Sequence, residues 1–282
     1  MRTLPYLLLL LLTLTACSAH YADEEESQLV VEGWIDEGDF PIVILTRSIP
    51  VKNEYQDISD LSQFVEHWAR VTISDGEQEV TLVGQASRNY FPPYYYTTSY
   101  MRGEAGKTYR LRIHCTDGTD YEALTTIPLK RPVIDSFSVE RTAASDTLYQ
   151  LYAHLDPQQD IPYYKLFTQT DPTRQSLRSS LLGVFTADMV ENHRVAVNAG
   201  RTNLVEEVSP FFSINDTVRV KLSAVSEEQY VFWRDFEYIA SLSRNPFFPT
   251  NTNLSSNVPG CLGYWFGYAS SFYVVPVRDL VP

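Results

Sequence analysis

The stretch "KTYRLRIHCTDGTDYEALTTIP", residues 107–128, constrains the fold more than any other part of the chain. Tyr109, Leu111, Ile113 and Cys115 alternate with polar residues, so they share one face of a strand whose side-chain period is two. Asp117-Gly118 then offers the positive-φ backbone that a tight hairpin turn needs. Tyr121, Ala123 and Thr125 return on one face. The device recurs in "HWARVTISDGEQEVTLVG", residues 67–84, as two alternating runs around Asp75-Gly76. "QLVVEGWID" (28–36) and "PIVILTR" (41–47) are rich in β-branched residues. Short strands punctuated by turn residues at this spacing indicate a mostly β chain built as a β-sandwich.

Pro128 and "KRPV" (130–133) interrupt the pattern, and a proline-bearing polar link between two β-rich blocks reads as a domain boundary. The reading therefore places an N-terminal immunoglobulin-like sandwich over 28–129. A second sandwich, of fibronectin type III character, spans 130–282. Its strands are "VIDSFSVERT", "TLYQLYAHLD", "YYKLFTQT" and "DTVRVKLSAVS" (216–226). Residues 171–215 read as long loops. One helix is expected over 227–243. Ser226 as N-cap and Gln229 three residues on form a capping box, with Glu227 and Glu228 at the positive helix end. Phe232, Phe236, Ile239 and Ser243, flanked by Trp233 and Ala240, give it one largely apolar face, a core face rather than a ligand site. Asn245-Pro246 stops it.

The N-terminal end carries a different message. Arg2 is followed by the apolar run "LPYLLLLLLTLTA", residues 4–16. A membrane-spanning helix needs about 20 apolar residues, so this run is too short to cross and fits the core of a secretory signal peptide over 1–16. Leu14-Thr15-Ala16-Cys17 resembles the bacterial lipobox. That resemblance implies that Cys17 becomes the acylated mature N-terminus and holds the protein to a membrane. The alternative is a secreted chain with a cysteine at its cleavage site. Residues 17–27 then form a tether containing Asp23, Glu24, Glu25 and Glu26, a charge run that stays solvated. Bacteroidetes lipoproteins often carry such a run after the lipidated cysteine. By that resemblance it is a signal for export to the cell surface.

The formal net charge of −13 argues against nucleic acid, which demands a basic footprint. Cys115 and Cys261 read as buried free thiols in different blocks, although an exported compartment would permit a disulfide. No Cys-x-x-Cys pair, His-Glu-x-x-His, Gly-x-Ser-x-Gly or phosphate-binding glycine loop occurs, so no catalytic residue, metal ligand or cofactor is assigned. Asp156, Asp160, Asp171 and Asp188 offer carboxylates of unknown separation. Asp146-Thr147-Leu148 and Asp216-Thr217-Val218 resemble the short bacterial O-glycosylation motif. The candidate binding surface is "NYFPPYYYTTSY", residues 89–100, with Tyr90, Phe91, Tyr94, Tyr95, Tyr96 and Tyr100. Pro92-Pro93 excludes a central strand, and tyrosine is enriched in binding loops. The alternative is that alternate rings cap the first sandwich.

The tail, "NPFFPTNTNLSSNVPGCLGYWFGYASSFYVV" (245–275), is the most distinctive stretch. Asn-Pro-Phe after an aromatic helix, then Ser-Asn-Val-x-Gly-x-Leu-Gly and an aromatic-Gly-Tyr, resembles the close of one family. This is the Bacteroidetes lipoprotein family catalogued as domain of unknown function 4249. Cys261 stands where a second glycine is expected. The tail itself reads as an aromatic hairpin completing the second sandwich, with a ligand cleft as the alternative. The resemblance implies an outer-membrane, outward-facing lipoprotein that works beside a TonB-dependent transporter, and it supplies no catalytic residues. The expectation is thus a non-enzymatic accessory of nutrient capture, anchored through Cys17. Its alternatives are a surface hydrolase acting on glycan or peptide, and an adhesive sandwich whose unpaired edge accepts a donor strand.

Overall fold

The computed structural model describes residues 27–48, 63–143, 145–170, 176–200, 209–242 and 254–281. Cys17 and the acidic run Asp23–Glu26 lie outside the described residues. The first block holds β1 (Leu29–Asp36), β2 (Ile42–Arg47), β3 (Arg70–Ser74), β4 (Glu79–Thr81), β5 (Val83–Ala86), β6 (Tyr94–Thr97), β7 (Thr108–His114) and β8 (Asp120–Thr126). The second holds β9 (Ser136–Arg141), β10 (Leu148–His154), β11 (Tyr163–Gln169), β12 (Arg178–Thr186), β13 (Arg194–Val197), β14 (Phe212–Ser213) and β15 (Thr217–Ala224). Helix α1 (Glu227–Leu242) and β16 (Leu262–Pro276) close the chain. The fold is mostly β, with open multi-strand sheets and, among the described residues, a single α-helix, in a sandwich-like arrangement.

Both hairpins read from the sequence form. β3 pairs with β4 around Asp75-Gly76, and β7 pairs with β8 from Thr108↔Thr126 to His114↔Asp120. They join in a four-stranded sheet, β4-β3-β7-β8, and β9, β10, β13 and β14 form another. The largest sheet runs β12-β11-β15-β16-β1-β2-β6-β5 and so draws strands from both blocks. One face of it meets the two small sheets in two successive cores. Leu29, Val31, Val71, Ile73, Tyr109, Leu111 and Trp265 fill the first. Tyr149, Leu151, Tyr164, Leu166, Val220, Leu222 and Val275 fill the second. The 128–133 link falls between Ile127 of the first core and Ile134 of the second. The opposite face carries Phe167, Phe266 and Tyr268 beneath Phe232 and Trp233 of α1.

The two blocks are joined by β16. It pairs in parallel with β1 over Leu262–Tyr268 and antiparallel with β15 over Ala269–Pro276. Its alternation sends Trp265 and Ala269 to the first core, Val275 to the second, and Phe266 and Tyr268 to the helix side.

The structure corrects three expectations. The aromatic tail is one 15-residue strand, not a hairpin. Gly260 and Gly263 take positive φ before and at the strand's start, and Gly267 lies where a Cβ would meet Ile127 at 2.9 Å, so it serves close approach rather than a turn. Cys261 packs in the same core as Cys115, and both are free. Residues 171–215 hold β12, β13 and β14 where long loops were expected. The register shift of β11 on β12 breaks the alternation there that would reveal a strand.

Candidate functional site

The segment 89–100 does not present six rings on one surface. The chain turns through Phe91-Pro92-Pro93 and enters β6 at Tyr94, where successive side chains point to opposite faces. Tyr94 and Tyr96 turn to the first core, 5.5 Å apart and edge to face. The Tyr96 hydroxyl donates to the Glu66 carbonyl at 2.9 Å and the Tyr94 hydroxyl to the His67 carbonyl at 3.2 Å. Tyr95 faces the other way, 4.5 Å from Tyr90, and Tyr90 reaches Trp34 of β1 at 6.1 Å. Burial, reinforced by Tyr95 and Asp39 nearby, pushes the Tyr90 phenol up to about 12. Phe91 is 51% exposed and Tyr100 82%. They sit beyond opposite ends of β6. The segment therefore divides its rings between the first core and the surface. Trp68, which sequence patterning did not single out, is also exposed, beside the His67 ring that meets Tyr94 at 4.5 Å.

A second region lies where α1 leaves β15. The capping box forms as read. Ser226 N–H donates to Gln229 Oε1 at 3.1 Å, and Gln229 N–H to Ser226 Oγ at 3.3 Å. Gln229 is buried, and its Nε2 also donates to the Gly267 carbonyl. The Trp233 indole donates to the Tyr268 hydroxyl at 3.0 Å. Beside this helix end is a cleft of about 400 Å³, a volume in the range of small-molecule sites. Phe232 and Phe266 form its apolar wall, with Glu227 and Glu228 on one rim and Ser255 and Asn257 on the other. Among the described residues neither rim carboxylate has an ion-pair partner. Such a site suits a ligand with an apolar body and a cationic or hydroxyl-bearing edge.

Two ion pairs lie under the helix. Lys165, fully buried, meets Glu237 of α1, which also accepts the Gly183 N–H. Burial holds the Lys165 ammonium below its usual range and Glu237 opposes that pull. Lys221 meets Asp36 at 2.7 Å, and Ser270 Oγ donates to the other Asp36 oxygen at 2.7 Å. Lys221 also lies 4.5 Å from the Tyr268 ring centre. These matched charges tie α1 to β11 and, across β16, β15 to β1; they are arranged for structure, since every one has an internal partner.

The four sequence carboxylates are not brought together. Asp156 holds His193, Asp160 holds Lys130, Asp188 accepts from Thr186, and Asp171 lies outside the described residues. Thr147 and Thr217 of the two glycosylation-like triplets are exposed. Among the described residues no group of three or more His, Cys, Asp or Glu is arranged to hold a metal, and no helix is long and apolar enough to cross a membrane.

A comparison with curated proteins found no match. A family model matches residues 18–272, which takes in the first core, most of the second, α1 and β16 as far as Phe272. The chain belongs to the family described as Domain of unknown function (DUF4249).

Proposed function

We propose that this chain is a lipid-anchored, non-enzymatic binding component of the outer membrane, facing the cell exterior and serving a TonB-dependent transporter in nutrient capture. One observation carries the reading: Cys17 stands directly after the thirteen-residue apolar run 4–16, which ends in Leu14-Thr15-Ala16. Several acyl chains on one cysteine anchor stably where one alone is marginal. The acidic run Asp23–Glu26 gives reach and, by its resemblance, an outward address. Anchoring confines the protein to the plane of the transporter and raises its effective concentration there. The cleft beside α1, with its aromatic wall and free carboxylates, supports a binding role.

The test is a gentle solubilisation of membranes, capture by a C-terminal tag and identification of what accompanies the chain. The expected result is a stoichiometric TonB-dependent barrel that disappears with Cys17→Ala. A solitary lipoprotein would overturn the stable-complex form of this reading.

A further inference from the structure

Each half of β16 has one flank without a neighbouring strand, because β1 borders only Leu262–Tyr268 and β15 borders only Ala269–Pro276. The direction of each backbone group follows from four bonds. Trp265 N–H donates to Asn257 Oδ1 and Gly267 N–H to Thr125 Oγ1, both away from β1. Tyr268 C=O accepts Glu37 N–H on the β1 side, and Val277 N–H reaches Asp216 C=O on the β15 side. Odd-numbered residues of β16 thus direct N–H and C=O toward β15, and even-numbered ones toward β1. Beyond the end of β1, the N–H and C=O of Phe272 and Val274 point into an open flank. Among the described residues nothing bonds to them there. Their side chains are exposed as well, Phe272 by 53% and Val274 by 67%.

Natural sheet edges are usually guarded by lysine, proline, a bulge or a covering element. β12, the outer strand at one end of the large sheet, pairs with β11 through a register shift. Among the described residues this flank of β16 carries no lysine, bulge or covering strand of its own. The cations across from it stand on β15: Lys221, opposite Phe272, is buried against Asp36, and Arg219 lies opposite Val274. Pro276 ends the strand without blocking the two positions.

We propose that this flank is a contact between two copies of the chain, joined by antiparallel pairing of β16 about a two-fold axis at Tyr273. The segment is self-complementary in that register. Phe272 of one copy pairs with Val274 of the other, and the reverse pair is identical. Each pair exchanges both backbone bonds, so the N–H and C=O of Phe272 and of Val274 are satisfied on each copy, while Ser270 comes opposite Pro276, which has no N–H to offer its carbonyl. On the helix side, each phenylalanine ring meets a valine, an aromatic–β-branched cross-strand pair that stabilises sheets. The contact is isologous and closes on itself, giving a dimer rather than a fibre. It is small, so co-anchoring in one membrane favours it by effective concentration. The pairing itself rests on β16 alone and not on the anchoring or the transporter.

The test uses the full chain carrying Phe272→Cys in one copy and Val274→Cys in another, purified and mixed, with mild oxidation. In this register the two substituted positions face each other at about 5.5 Å, within disulfide reach. Like positions lie about 7–8 Å apart on the diagonal, beyond it. Burial pushes the Cys115 and Cys261 thiols up to about 11 and 12, which keeps their background reaction slow. The exposed Tyr100→Cys variant sets the rate of random collision. The expected result is a cross-linked dimer from the mixture, at least tenfold above either variant alone and above Tyr100→Cys. Equal cross-linking in all samples, or none in the mixture, overturns the pairing. Repetition in membranes extends the test: a product containing a different polypeptide would mean that the flank takes another chain's strand, and self-pairing would fall. Loss of the transporter in the capture experiment would leave this result untouched.

Discussion

The two halves of β16 meet the same problem in different ways. In the first half, the flank away from β1 is sealed by side chains in place of a strand. Asn257 takes both backbone groups of Trp265, at 2.8 Å each, Gln229 takes the Gly267 carbonyl, and Thr125 takes its N–H. In the second half, the open groups of Phe272 and Val274 have no substitute among the described residues. The sealed half carries the fully buried Trp265 and the α1 contacts; the open half carries exposed apolar side chains. Side-chain amides can close a sheet edge where a core must be completed. Where none is provided, the edge is left available to a partner.

Stability should follow the sealed half. Trp265→Ala removes a ring at 0% exposure and its bond to the Tyr109 carbonyl, and should cost about 3–5 kcal/mol in denaturant unfolding. Glu237→Ala strands the buried Lys165 ammonium, at about 3–5 kcal/mol near neutral pH. Here the sign of the pH effect is informative. Burial lowers the folded-state pKa of Lys165, so the unfolded chain binds more protons and stability rises with pH. The deficit of Glu237→Ala relative to wild type should therefore shrink between pH 7 and 9. A constant deficit would mean that Lys165 is not the cause.

Asn257→Ala should cost about 1–3 kcal/mol, because it leaves two backbone groups of a buried tryptophan unpaired. Cys115 and Cys261 work in the opposite pH direction. Their folded pKa values are raised by burial, to about 11 and about 12. The stability they contribute is complete below the unfolded thiol range and is lost as pH climbs through it toward 11. Thermal melting at pH 8 and pH 10 should show the loss, and Cys115→Ala should flatten it. The smallest effect belongs to the open half. Phe272→Thr and Val274→Thr should stay within about 0.5 kcal/mol of wild type. A large loss at either position would dissolve the contrast between the halves.

Much of this was legible in local sequence. Asp75-Gly76 and Asp117-Gly118 turn the hairpins as read, and Ser226 with Gln229 caps α1. Alternation reports which face a residue takes, and it placed Tyr109, Leu111, Ile113 and Cys115 correctly in one core. It does not report the partner strand. β16 lies beside β1 across most of the chain length, in parallel, and no local pattern encodes such a pairing. The same limit affected the aromatic segment. Tyr94, Tyr95 and Tyr96 are neighbours in sequence, but β6 deals them to two faces, and Tyr95 meets Tyr90 from outside the strand. Gly267 admits Ile127, a close approach that only the tertiary contact reveals. The cleft beside α1 joins residues 227–232 to 255–266 and was equally out of reach.

Amide hydrogen exchange along β16, in chain dilute enough to be monomeric by mass, tests the account most directly. Slow exchange is expected at Trp265, Gly267, Tyr273 and Val275, whose N–H groups are taken by side chains or by β15. Fast exchange is expected at Phe272 and Val274, whose N–H groups face the open flank. Protection of Phe272 and Val274 equal to that of Tyr273 in the monomer would contradict the open flank and the pairing built on it.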